Sequence, residues 1–181
     1  MFQYNDISFR MVEERDLKLL YEMRYDETVN EQLFDTIPIS LHNQKAWMES
    51  MLKSKTSKVF VVVRKKKVKD EVIGCVKLRD IDHQNQRVEI GADILEEHRK
   101  KGYGTKTYEA LEKYCFNYLN MQKMYLYVFE SNQIAVNLYK KAGFEIEGRL
   151  KDHIYRNGWK TVLLMAKFRT AELSFQTLPL P

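Results

Sequence analysis

Two cysteines in 181 residues are too few for a disulfide framework, so free thiols in a reducing, cytoplasmic compartment are the expectation. No apolar run is long enough to cross a bilayer. The opening Met1-Phe-Gln-Tyr-Asn-Asp6 also lacks the basic start and apolar stretch of a secretory signal. Histidines are few and scattered: His83, His98 and His153 share no ligand spacing, and His42 falls on a separate helical segment, which argues against zinc or any other metal. Repeats, low-complexity tracts and interdomain linkers are absent. The chain reads as one domain over 1–181, with a core at about 7–168 and a short tail at 169–181.

What remains is the composition of a folded globular protein, 44% hydrophobic and 12% aromatic. The net charge of +5 favours a polyanionic ligand. Lys65-Lys-Lys67 and Lys69-Asp70 form a hydrophilic turn. Without an aromatic residue interleaved as a stacking platform, they argue against nucleic acid.

Alternation and apolar density predict strands at Ile7 to Met11, Lys58 to Arg64, Val72 to Ile81, Arg87 to Ile94, Lys123 to Phe129, Phe144 to Tyr155 and Thr161 to Phe168. The last two flank Arg156-Asn157-Gly158-Trp159, a hairpin turn signal. Helical spacing covers Asp16 to Tyr25. A second helix, capped by Ser40, runs from about Leu41 to Leu52 with Ala46, Trp47 and Met51 among its buried side chains. Asp26 to Pro38 breaks the pattern. The expected fold is α+β, a central mixed twisted sheet of about seven strands flanked by about four helices.

The chain is organised around Arg99-Lys100-Lys101-Gly102-Tyr103-Gly104-Thr105, which follows a strand and opens a helix with Tyr108, Leu111, Cys115, Tyr118 and Leu119 on one face. Glycines at such a junction let a ligand approach the main chain, and the first helical amides favour phosphate. The stretch is neither a dinucleotide fingerprint, which wants glycine where Thr107 stands, nor a P-loop, whose Gly-Lys-Ser/Thr order it lacks. A second block follows the next strand: Asn132-Gln-Ile-Ala135-Val-Asn-Leu-Tyr139-Lys140-Lys-Ala-Gly143-Phe144.

In this order and separation the two blocks resemble the acetyl-CoA-binding motifs of the GNAT acetyltransferase superfamily. Ile7-Ser8-Phe9-Arg10 followed by Asp16 is similar to the branch holding ribosomal-protein N-terminal, polyamine and amino-sugar acetyltransferases. The resemblance implies acetyl transfer from acetyl-CoA to a primary amine by direct attack, without a metal. Such a reaction needs a neutral amine, although an alkyl ammonium loses its proton only near pH ~10. It also needs fixed donors for an oxyanion and a proton for the leaving thiolate.

Carried over by motif, Tyr139 is the general acid for the thiolate and Glu89 the base or anchor for the amine. Ile94 pairs with pantetheine through its main chain, in a strand that bulges in this fold. Arg99, Lys100, Gly102, Tyr103, Gly104 and Thr105 hold the pyrophosphate, mostly through amides. Asn132 bonds pantetheine or caps its helix, and Lys140 or Lys141 approaches the 3′-phosphate. The wall of the acceptor pocket falls on Arg24, Glu27, Asn30, Glu31, Phe34 and Asp35. The acceptor expected is a small amine, a nucleotide-linked amino sugar first; the alternatives are a protein N-terminus of ribosomal-protein type, a polyamine, or a non-catalytic acyl-CoA-binding sensor. One departure weakens any assignment resting on the last hairpin: several enzymes of the branch carry an acid soon after its glycine, and here Gly158 precedes Trp159-Lys160-Thr161. A homodimer is compatible with this reading.

Overall fold

The structure, a computed structural model, describes residues 1–34, 38–66 and 68–170. Asp35, Lys67 and most of the tail lie outside the described residues. Eight strands among the described residues form one mixed sheet in the order β1-β2-β3-β4-β5-β6-β8-β7. They are β1 (Phe2–Tyr4), β2 (Ile7–Met11), β3 (Lys58–Arg64), β4 (Glu71–Asp82), β5 (Arg87–Ile94), β6 (Lys123–Phe129), β7 (Glu145–Tyr155) and β8 (Trp159–Phe168). The helices are α1 (Leu17–Tyr25), α2 (Glu27–Asn30), α3 (Leu41–Lys53), α4 (Tyr103–Glu112) and α5 (Gln133–Lys141).

One sheet face carries Val88, Ile90, Met124, Leu126, Val128, Leu163 and Met165 against Leu111 and Cys115, in and just after α4, and Val136 of α5. The other packs Val59, Val61, Val63 and Cys75 against Leu20 and Met23 of α1 and Met48 of α3. The period-two strands supply both sets, because β3 and β4 are central and buried on both sides. Arg10 and Asp16, noted in the sequence as a motif, join through two guanidinium–carboxylate bonds of 2.9 Å, and Asp16 also accepts the Glu13 amide at 2.8 Å. The pair therefore fixes the passage from β2 into α1.

Three local departures separate the structure from the sequence reading. β1 and α2 escape periodicity because they span three and four residues. Tyr118, expected on the buried helical face, is 66% exposed. The turn Lys113–Tyr118 after α4 has π geometry, which rotates it out of the 3.6-residue phase. In α3 the buried residues are Gln44 and Met48, with Trp47 and Met51 partly covered, while Ala46 faces outward.

Candidate active site

β5 and β6 run parallel, and their pairing stops early. Arg87, Val88 and Glu89 meet Lys123, Met124 and Tyr125, yet both strands continue, to Ile94 and Phe129. From Ile90 onward β5 is paired only on its β4 side, with Ile94 opposite Gly74. A strand edge left open in this way offers main-chain donors and acceptors to an extended ligand. The bulge expected in β5 is absent. β5 keeps register with β4 from Glu89 to Ile94, and the shift falls in β4, between Arg79 and Asp82, where Asp80 has φ of +47°.

The loop after β5 delivers α4 to the end of this gap. Lys100 (φ +59°) and Gly102 (φ +81°) both take left-handed backbone, which turns the chain sharply into the helix. The first amides of α4 have no helical carbonyls behind them. Lys100 and Thr105 are exposed. Gly104 serves packing as well: a Cβ there would stand 3.3 Å from Leu138 Cδ2 on α5. Two loop side chains are engaged within the protein. Tyr103 is buried, with its ring against His98 and beneath the Arg64 guanidinium at 5.1 Å, so only its main chain remains for a phosphate. The Arg99 guanidinium is engaged by Ile94, Thr28 and Asp26.

Tyr139 of α5 lies beside the gap. Its oxygen accepts the Tyr108 hydroxyl at 3.3 Å, and the two rings meet edge-on at 5.2 Å. Burial raises the Tyr139 phenol above its ordinary value; the Tyr108 bond opposes this and the Asp93 charge adds to it. Tyr108 is pushed well above its own, first by burial, then by Tyr139 and Asp93, while a backbone hydrogen bond from Ala92 on the open strand works the other way. Both phenols therefore stay protonated through neutral pH. Tyr139 holds the better position to give its proton away, because a neighbour donates to it. Asn132 caps α5, accepting the Ala135 amide at 3.1 Å. Lys140 and Lys141 are exposed in the last turn of α5.

On the opposite face of β5, alternation places Glu89 with Asp93. Glu89 is held by Arg79, Nε to Oε1 at 2.8 Å. A cavity of about 230 Å³ opens on that face between α1, α3 and the sheet. Its charged lining residues are Arg24, Lys77 and Asp93, and Lys77 reaches Asp93 at 2.9 Å. Val29, Leu33 and Trp47 supply apolar wall. Of the residues expected at the acceptor, Arg24 lines the cavity, whereas Asn30 spends its amide on the Arg24 carbonyl at 3.3 Å. Phe34 leans on Phe129 with ring centroids 4.9 Å apart, and Glu31 is exposed just after α2. Sequence reasoning did not bring Lys77 and Asp93 to a cavity or the Tyr108 hydroxyl to Tyr139. Lys77, a charge inside the apolar run Gly74-Cys-Val-Lys-Leu78, was the available signal. Among the described residues no group of three His, Cys, Asp or Glu side chains is placed to hold a metal ion, and no helix is long and apolar enough to cross a membrane.

Comparison with known proteins gives a consistent placement. A family model described as an acetyltransferase (GNAT) domain matches residues 6–145. Spermidine N(1)-acetyltransferase of Escherichia coli K12 is 26% identical over 176 residues, covering 97% of this chain and 92% of that protein. The crystal structure of spermidine N-acetyltransferase from Vibrio cholerae in complex with CoA and spermine superposes with a TM-score of 0.84 at 26% identity, over 91% of this chain and 96% of the other. A dodecameric structure of the Vibrio cholerae enzyme gives 0.79 at 25% identity, over 96% and 100%.

Proposed function

The chain belongs to the GNAT acetyltransferase family, and on that premise we propose that it moves an acetyl group from acetyl-CoA to the primary amine of a small molecule. The observation that carries the reading is the early parting of β5 and β6, with the start of α4 at one end of the gap and the Tyr139–Tyr108 pair beside it. The open edge of β5 suits pantetheine, and the main chain of residues 100–105 suits the pyrophosphate. Lys140 or Lys141 meets the 3′-phosphate. An amine entering from the cavity approaches β5 from the face that carries Glu89 and Asp93, which we assign to the acceptor side, Glu89 as base.

Each group answers one demand of the chemistry. Loss of the amine proton exposes the nucleophile, and Glu89 takes it. The thiolate leaves with a proton from Tyr139, which Tyr108 supports by donating to the phenolate oxygen. No covalent enzyme intermediate is required when the amine attacks directly.

For the acceptor, the relatives named above act on spermidine, which supports a polyamine as the first class. A second class, an amine that also carries an anionic group, such as a nucleotide-linked amino sugar, stands as the alternative, and the same cavity, lined by Arg24, Lys77 and Asp93, would receive it. The dodecameric Vibrio cholerae structure makes self-association a reasonable accompaniment. A thiol-release assay with acetyl-CoA and panels of polyamines, nucleotide-linked amino sugars and N-terminal peptides tests the reading. Turnover with a polyamine or an amino sugar is the expected result. Acetyl-CoA binding with silence toward every amine would instead indicate an acyl-CoA sensor.

A further inference from the structure

The wall segment that contributes Val29 and Leu33 to the cavity is held by two arginines from distant parts of the chain. α2 has only four residues, far too few to persist on its own hydrogen bonds. At its start Asp26 accepts the Val29 amide at 2.9 Å and the Thr28 hydroxyl at 2.6 Å. Arg99, from the loop between β5 and α4, reaches the same place. One of its terminal nitrogens lies 3.1 Å from Asp26 Oδ2, the other donates to Thr28 Oγ1, and Nε donates to the Ile94 carbonyl at 2.9 Å. At and beyond the other end of α2, Arg156 at the tip of the β7–β8 hairpin donates to the carbonyls of Leu33 and Asn30 at 2.7 and 2.9 Å.

We propose that Arg99 is a positioning residue that transmits occupancy of the cofactor loop to the acceptor wall, rather than a ligand of the pyrophosphate. The inference rests on the reading that residues 100–105 bind acetyl-CoA through their amides. A polyanion held by those amides fixes the backbone from which Arg99 projects. The guanidinium spans the last residue of β5 and the start of α2, and all three of its nitrogens are engaged there. Damping the loop therefore damps α2, and an acceptor meets a cavity already shaped. Coupling of this kind needs no change of structure, only a loss of motion that hydrogen exchange can read.

Hydrogen exchange of the full chain, with and without CoA, tests this at residues 26–34 and 99–105. In the wild type CoA should slow both segments. In Arg99→Gln it should slow 99–105 but leave 26–34 unprotected, and Arg99→Lys should recover part of the effect. Asp26→Asn, on the far side of the contact, should reproduce the loss at 26–34. With an acceptor from the panel above, Arg99→Gln and Asp26→Asn should each raise the acceptor KM by ~10-fold, within the usual span of coupling between sites, and leave the acetyl-CoA KM nearly unchanged. The proposal is overturned if Arg99→Gln abolishes protection of 99–105, which is the signature of a pyrophosphate ligand. It is equally overturned if CoA still protects 26–34 in both variants. Failure of CoA to protect 99–105 in the wild type would instead remove the cofactor reading, and this inference with it.

Discussion

Replacing Tyr108 by Phe removes one oxygen and keeps the ring that packs edge-on against Tyr139 and Phe144. The bond it breaks is 3.3 Å long, more than the usual O–H···O distance, so between two neutral phenols it is worth no more than ~1 kcal/mol. Once Tyr139 has given its proton to the thiolate, the same donor faces an oxyanion, where such bonds reach ~1.5–3 kcal/mol. The difference that counts for rate is then ~1 kcal/mol, or ~5-fold in kcat. Tyr139→Phe, which removes the acid itself, should cost ~10²-fold. In the Tyr139→Phe background the Tyr108 change should do nothing, because its effect passes wholly through the phenol that is gone. The assay is kcat for the four members of this cycle at saturating acetyl-CoA and amine. A Tyr108→Phe loss of equal size in both backgrounds would refute the reasoning, as would wild-type turnover by Tyr139→Phe. The pH profile adds a check. Tyr139 is raised and must be protonated to act, so no alkaline fall in kcat should come from it below pH ~10.

Three further expectations concern other parts of the molecule. Glu89→Gln should slow acetylation most near neutral pH, where the amine is protonated, and recover partly by pH ~9 to 10; a Glu89 that only anchors the amine would raise the acceptor KM and leave that profile flat. Asp16 is buried, which pushes its carboxyl up, but the Arg10 and Glu13 hydrogen bonds outweigh this and hold it below the ordinary carboxylate value. Its contribution is therefore complete above pH ~4 and fades as pH falls through the lowered folded value; Asp16→Asn should cost ~1–3 kcal/mol in urea unfolding at pH 7, because Arg10 loses its two carboxylate bonds but keeps Glu13 at 3.5 Å, and a cost under ~0.5 would show the pair to be dispensable. Gly104→Val should raise the acetyl-CoA KM and also destabilise the fold by ~1–3 kcal/mol through the Leu138 contact, so unfolding curves and KM must be measured together.

The strands were readable because β3, β4 and β5 carry dense β-branched or alternating apolar residues. The order of loop and helix after β5 was readable from Gly102 and Gly104. Contacts that join distant segments were not. Arg99 has a basic side chain just before the start of a helix, so local chemistry assigns it to phosphate. Only the fold shows Asp26 and Thr28 arriving from 71 to 73 residues earlier in the chain to claim it. Tyr108 was assigned to the core by its helical phase, and that is where its ring lies; its hydroxyl reaches across to α5, which no periodicity records. The proposed acceptor wall was the least legible part, because a four-residue helix has no period to detect.

Three residue pairs join β5 to β6, while seven join β6 to β8. Mechanically the sheet is two slabs riveted at one end, and the open length between them is the fold's natural crack line. A carrier bound along that length, as proposed above, would be a brace as well as a reactant: it would span the crack while bound and leave it unsupported on departure. The apo protein should therefore part along this line first under heat or load, and with a carrier seated there its departure and the slackening of the scaffold would be a single event in each cycle.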